Sequence, residues 1–208
     1  MRCIYLHGFA SSPKSGKARY LVSKFQELGL ELDVPDLNLG DFRRMTISAV
    51  LEFLHSTYTE PIAVIGSSLG GYIALLLAQQ NPLVQKLLLL APAITFPFGI
   101  KGWLGTEAIA QWQEMGYREF WHYEAQRLVP LNYQFYEDVQ SYATVQFERE
   151  LPIVILHGKR DEVVPVHIST QFAQNRPYVD LHIVDSDHSL GDSSTLSYLW
   201  QLVSRHIV

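Results

Sequence analysis

The stretch Ile62-Ala63-Val64-Ile65-Gly66-Ser67-Ser68-Leu69-Gly70-Gly71-Tyr72 restricts the possible folds more than any other part of the chain. Its first four residues read as a buried strand, the Gly-Ser segment as a sharp turn, and the run from Leu69 to Gln80 as an apolar helix. When a strand turns directly into a helix at a serine, the residues two before and two after must be small, because strand and helix approach closely there. Gly66 and Gly70 supply those positions for Ser68. Ser67 fails the same test, since Ile65 would stand two residues before it. The alternative reading is a Gly-Ser turn that merely caps a helix; the strand before and the helix after favour a raised serine.

The rest of the chain supplies a matching framework. Besides Ile62 to Ile65, short runs rich in Ile, Leu and Val lie at Arg2 to Leu6, Glu31 to Val34, Lys86 to Leu90, Ile153 to Leu156 and Leu181 to Val184, and read as buried strands. Between them lie helical faces: Ala18, Leu21, Val22, Phe25 and Leu28 ending at Gly29, then Ile47, Val50, Leu51 and Leu54, with further helices expected over 166–175 and 193–206. Strand alternating with helix predicts an α/β fold, a mainly parallel six-stranded sheet with helices on both faces. The order 2-1-3-4-5-6 makes the first and third strands neighbours and opens a crevice between them.

One segment breaks the alternation. Thirteen of the twenty-five aromatic residues fall between Phe96 and Phe147, among them Trp103, Trp112, Trp121 and the cluster Phe120-Trp121-His122-Tyr123. Aromatic groups at this density require burial. The expectation is a single domain over 1–208, with 96–147 inserted as a cap over the end of the sheet.

A serine hydroxyl is a weak nucleophile at neutral pH and needs a base, an orienting carboxylate and oxyanion donors. Asp161 lies just past the strand Ile153 to Leu156, with Glu162 as the rival acid; a turn or N-cap aspartate is the plain alternative. His188 follows the last strand, in Asp185-Ser186-Asp187-His188-Ser189. The chain order Ser68, Asp161, His188 is the one expected of a triad built on strand ends of such a sheet. Asp185, Asp187 and Asp192 crowd the same loop, where any of them would favour the charged form of His188; as solvated loop acids they need no such role. The backbone N–H of Leu69, at a helix N-terminus, and that of Phe9, after Gly8, are the candidate oxyanion donors. His7 competes with His188 as base, but its place before Ser68 and on the oxyanion side suits a shaping role.

Other classes find little support. Sixteen Lys and Arg against twenty-one Asp and Glu give a net charge of −5, the wrong sign for a broad nucleic-acid face. No metal-ligand spacing, Gly-x-Gly-x-x-Gly or Walker A loop occurs, so no metal or cofactor is expected. The apolar runs are far shorter than the roughly twenty residues of a membrane span. The lone Cys3 fits a reducing compartment and a structural role, and the absence of a leader pattern at Met1 points to the cytoplasm.

These residues resemble the α/β-hydrolase superfamily, and within it the small YqiA/YcfP-type esterase family. The resemblance rests on Tyr5-Leu6-His7-Gly8-Phe9 with Ser11-Ser12-Pro13-Lys14-Ser15 and Lys17-Ala18, and on Ile65-Gly66-Ser67-Ser68-Leu69-Gly70-Gly71-Tyr72. It anchors the first ninety or so residues. The base loop departs from the family's Gly-Asn-His-x-Phe, and the cap is longer than in compact members. The resemblance implies hydrolysis of a small-molecule acyl ester or thioester through Ser68, Asp161 and His188. Acyl transfer to another acceptor uses the same residues, and a binding or sensor protein would keep the fold without turnover. The oligomeric state is not legible.

Overall fold

A computed structural model describes all residues, 1–208. The elements run β1 (Arg2–Leu6), α1 (Gly16–Glu27), β2 (Leu32–Asp33), a 3-10 turn (Phe42–Arg44), α2 (Ile47–Thr57), β3 (Ile62–Ser67), α3 (Leu69–Gln80) and β4 (Val84–Leu90). After β4 come α4 (Phe96–Leu104), α5 (Thr106–Met115), β5 (Tyr117–His122), β6 (Arg127–Asn132) and α6 (Gln134–Ser141). The chain then closes with β7 (Ile153–Gly158), α7 (His167–Ala173), β8 (Val179–Val184) and α8 (Ser193–His206).

Six strands form one sheet in the order β2-β1-β3-β4-β7-β8, and every pairing in it is parallel. Counted along this sheet the order is the expected 2-1-3-4-5-6; the numbers differ because β5 and β6 leave it to pair antiparallel with each other. That hairpin is a feature the aromatic count did not predict. Its periodicity is visible once sought: Phe120 and His122 turn inward and are buried, whereas Trp121 and Tyr123 turn outward. The second strand is also shorter than Glu31 to Val34, since β2 is an edge strand held to β1 through only Cys3–Leu32 and Ile4–Asp33. The helix expected over 166–175 is trimmed to α7.

Local chemistry explains the helix starts. Ser15, Thr46 and Asp192 accept the N–H of Ala18, Ala49 and Thr195 at the heads of α1, α2 and α8. Gly29, at φ +69°, lets the chain leave α1. In α3 every residue from Leu69 to Ala78 is buried, as a helix apolar on all sides must be. Its far end is closed by Arg149, whose guanidinium donates to the carbonyls of Ala78 and Asn81 at 2.6 Å, Pro82 at 3.1 Å and Val84 at 2.6 Å. One charged side chain thus satisfies carbonyls left open by both α3 and the turn into β4.

The sheet is packed on both faces. On one, Tyr5, Ile65, Leu88 and Leu156 meet Leu21 and Phe25 of α1 and Leu199 and Val203 of α8. On the other, Ile4, Val64 and Leu89 meet α2 and α3, and this core continues into the insertion through Ile100, Trp112, Phe120, Leu131 and Phe135. Trp112 is fully buried and donates its indole N–H to the Leu131 carbonyl at 2.9 Å, so its polar edge is satisfied inside an apolar site. The insertion is therefore continuous with the main core. No helix is long and apolar enough to cross a membrane.

Candidate active site

Ser68 stands between β3 and α3 with φ 55° and ψ −115°, a conformation that L-residues reach only under constraint. Backbone bonds on both sides supply that constraint: Ser68 N–H donates to Leu90 O at 2.9 Å, and Ala93 N–H donates to Ser68 O at 3.1 Å. The flanking glycines are sterically required. A Cβ on Gly66 would lie 2.5 Å from Gly70 O, and one on Gly70 would lie 2.2 Å from Leu6 O and 2.5 Å from His7 O. The second contact shows what the spacing accomplishes, for it seats α3 directly on the end of β1, beside the loop that carries His7, Gly8 and Phe9.

In that loop Gly8 packs against the serine; a Cβ there would lie 3.5 Å from Ser68 Cβ. His7 is 1% exposed and has both nitrogens engaged. Leu37 N–H donates to Nε2 at 3.0 Å, which leaves Nδ1 to carry the proton, 3.0 Å from Gly8 O. Because the Gly8–Phe9 peptide is trans, holding the Gly8 carbonyl toward His7 directs the Phe9 N–H away from it. Neither Phe9 N–H nor Leu69 N–H donates within the chain. The Phe9 ring is clamped by Phe42, Trp103, Phe120 and Phe135 at 5.6, 6.1, 5.1 and 5.6 Å between centroids. Rings from the insertion thereby fix the loop from outside the sheet.

Three side chains from distant loops meet in a line. His188 Nε2 lies 3.0 Å from Ser68 Oγ, and its Nδ1 lies 2.7 Å from Asp161 Oδ2. The Asp161 side chain is fully buried and the His188 ring 24% exposed. The other Asp161 oxygen, Oδ1, accepts the N–H groups of Val163 and Val164 at 2.9 and 2.8 Å. Burial pushes this carboxyl up, but hydrogen bonds from His157, His188 and Val164 N–H outweigh it and hold the group well below the usual carboxylate range. The carboxylate is charged, buried and oriented.

The other candidates lie elsewhere. Glu162 is exposed. Asp185 pairs with Arg160 at 2.8 Å on the surface, Asp187 is occupied by Ser189, and Asp192 caps α8. Ser67 ends β3 and is buried. Cys3 is buried and unpaired. No group of three or more His, Cys, Asp or Glu side chains is gathered in a way that could hold a metal ion.

A family model described as "Uncharacterised protein family (UPF0227)" matches residues 2–205. The chain belongs to this family. Among curated relatives, palmitoyl-protein thioesterase ABHD10, mitochondrial, of Bos taurus is 22% identical over 94% of this chain and 69% of that protein. A crystal structure from Agrobacterium vitis superposes with TM-score 0.85 at 26% identity, covering 100% of this chain and 88% of that one. Alpha/beta hydrolase domain-containing protein 10 from mouse superposes with TM-score 0.77 at 23% identity, covering 98% and 88%. This UPF0227 member therefore has the α/β-hydrolase fold.

Four residues around the site in this UPF0227 chain carry no sequence signal for a role in it, although Lys17 belongs to the segment on which the resemblance rests. Gly158 ends β7, and a Cβ there would lie 2.5 Å from both Ser186 O and Asp187 O; it lets the His188 loop lie flat on the strand end. Lys17 of α1 donates to the carbonyl of Ser189, tying the same loop from the other side. His157 and Ser169 form a buried pair behind Asp161. Gly158 and His157 are visible in His157-Gly158-Lys159-Arg160-Asp161, but their partners, Ser186 and Asp187 for the glycine and Ser169 for the histidine, lie in other loops and elements and meet them only in the fold.

Proposed function

We propose that the chain is a serine hydrolase that cleaves carboxylic esters or thioesters through an acyl-enzyme. The observation that carries this reading is the continuous line Ser68 Oγ, His188, Asp161, at 3.0 and 2.7 Å. His188 Nε2 accepts the Ser68 proton as Oγ attacks the acyl carbon, and Asp161 holds the ring with Nδ1–H toward itself and stabilises the imidazolium. The backbone N–H groups of Leu69 and Phe9 receive the developing oxyanion. His188 then gives its proton to the leaving alcohol or thiol, and a water deprotonated by the same Nε2 releases the acid. Gly66, Gly70 and Gly8 serve by letting α3, β1 and the His7 loop close around Ser68, and His7 orients the Gly8–Phe9 peptide.

The aromatic insertion, read as a cap on one domain spanning 1–208, favours an apolar acyl group. Phe9, Phe120 and Trp103 place rings beside the loop that supplies one oxyanion donor, and such surfaces exclude water from a reacting ester. The relationship to a palmitoyl-protein thioesterase supports the same substrate class. Cys3, buried and unpaired, is compatible with the cytoplasm.

Ser68→Ala tests the reading. Turnover of a p-nitrophenyl acyl ester is expected to fall by about a thousandfold or more, with stoichiometric fluorophosphonate labelling of the parent enzyme abolished. Full activity in the variant would overturn the assignment.

A further inference from the structure

Behind Asp161 sits a second histidine that the proposed reaction does not use. His157, the next-to-last residue of β7, is 0% exposed, as is Ser169 of α7. His157 Nδ1 lies 2.7 Å from Ser169 Oγ, and Nε2 lies 2.8 Å from Val164 O and 3.2 Å from Asp161 Oδ2. Both neighbours of Nε2 are acceptors only, so Nε2 carries a proton. The Ser169 hydroxyl has no other partner among its hydrogen bonds, and it is satisfied when it donates to Nδ1. One neutral tautomer thus satisfies every buried atom of the pair.

The consequence reaches Asp161 twice. The Nε2–H is directed to the Val164 carbonyl at 2.8 Å, and Nε2 lies 3.2 Å from Asp161 Oδ2, the oxygen that also faces His188. Val164, in turn, donates its own N–H to Asp161 Oδ1 at 2.8 Å. His157 therefore grips both the carboxylate and the turn that holds the carboxylate's other oxygen.

We infer that His157, locked by Ser169, is a positioning residue that fixes Asp161 and withdraws charge from the oxygen facing His188. The inference rests on the Ser68–His188–Asp161 reading above. Its signature is the pH profile. With the His157 donor gone, more of the carboxylate charge faces the imidazole, the protonated ring is favoured, and higher pH is needed to free the base. Charged and titratable groups facing the pair are His157 from β7, Lys17 from α1, and Asp187 in the His188 loop; of these the variants replace only His157, and Lys17, lowered to about 8 by burial, changes charge alike in the parent and in each variant.

The test compares His157→Leu with His157→Gln, whose amide places an N–H near the position of Nε2, and with Ser169→Ala. The readouts are kcat/KM for a p-nitrophenyl ester and the rate of fluorophosphonate labelling, each from pH 5 to 9, with thermal melts alongside. His157→Leu is expected to move the acidic limb upward by about half a unit to one unit, and His157→Gln to restore it. Ser169→Ala, which frees the tautomer without emptying the site, should move it in the same direction by less, and it carries the test if the leucine variant does not fold. An acidic limb unchanged in a folded His157→Leu or Ser169→Ala protein, or one that glutamine leaves displaced, would overturn the inference. Ser68→Ala, run in parallel, separates the two failures: if it stays active the function is wrong, and if it is dead while the limb stays put only the role of His157 is wrong.

Discussion

Gly158→Ala isolates the effect of moving His188, the proposed base, without touching any of the groups proposed to react. The added Cβ would meet two backbone carbonyl oxygens, Ser186 O and Asp187 O, at 2.5 Å, and both must retreat by about 0.9 Å to reach the 3.4 Å of an ordinary contact. Neither is free to swing away. Lys159 N–H donates to Val184 O at 2.7 Å, Arg160 N–H donates to Ser186 O at 2.9 Å, and Lys17 holds Ser189 O from the far side. The displacement therefore passes to His188, one residue on, whose ring must keep 3.0 Å to Ser68 and 2.7 Å to Asp161. A misplacement near 1 Å in a reacting constellation costs roughly a hundredfold in rate, whereas overpacking of this kind costs about 1–3 kcal/mol of stability, or roughly 2–12 °C in Tm for a chain of this size. The assay is kcat/KM on an acyl ester beside a thermal melt, with Gly16→Ala as control because a Cβ there meets nothing within 4 Å. Activity within twofold of the parent in Gly158→Ala would refute the claim that this glycine sets the position of His188.

Other outcomes follow from the same coordinates. Arg149→Met leaves the carbonyls of Ala78, Asn81, Pro82 and Val84 without their shared donor, and should lower stability by about 2 kcal/mol in urea unfolding; a midpoint within error of the parent would contradict it. Gly102→Ala, in the exposed interior of α4 where a Cβ meets nothing within 4 Å, should raise stability by about 0.4–1 kcal/mol, seen as a higher Tm. Burial lowers the Lys17 ammonium to about 8, against opposing pulls from Asp187 and Asp161. The folded chain then sheds this proton before the unfolded one does, so stability gains a contribution as pH rises from about 8 toward the ordinary lysine value of 10.5. Urea titrations across that window should show this rise in the parent and lose it in Lys17→Met.

The parallel sheet was legible because its strands are unbroken apolar runs and its helices carry one apolar stripe; each pattern is local. Ser68 was legible for a similar reason, since a strand, two spaced glycines and an apolar helix occupy consecutive residues. The β5–β6 hairpin was not, because its alternation was masked by aromatic residues on both faces: Phe120 inward, Trp121 and Tyr123 outward. Asp161 and His188 were nominated by their places just past strands and by chain order, with Glu162 and His7 as the rivals, because no local pattern marks either residue as Ser68 is marked.

What the residues determined unaided is the architecture and the place of the raised serine, because periodicity and steric demand at a turn act over a few neighbours. Tertiary structure decided that the imidazole nominated by chain order reaches the serine, that the nominated carboxylate reaches that imidazole, and which residues hold them there. Gly158, Lys17, His157 and Ser169 act through backbone and side-chain groups up to 172 residues away, and contacts of that range exist only once the sheet has brought its strand ends together.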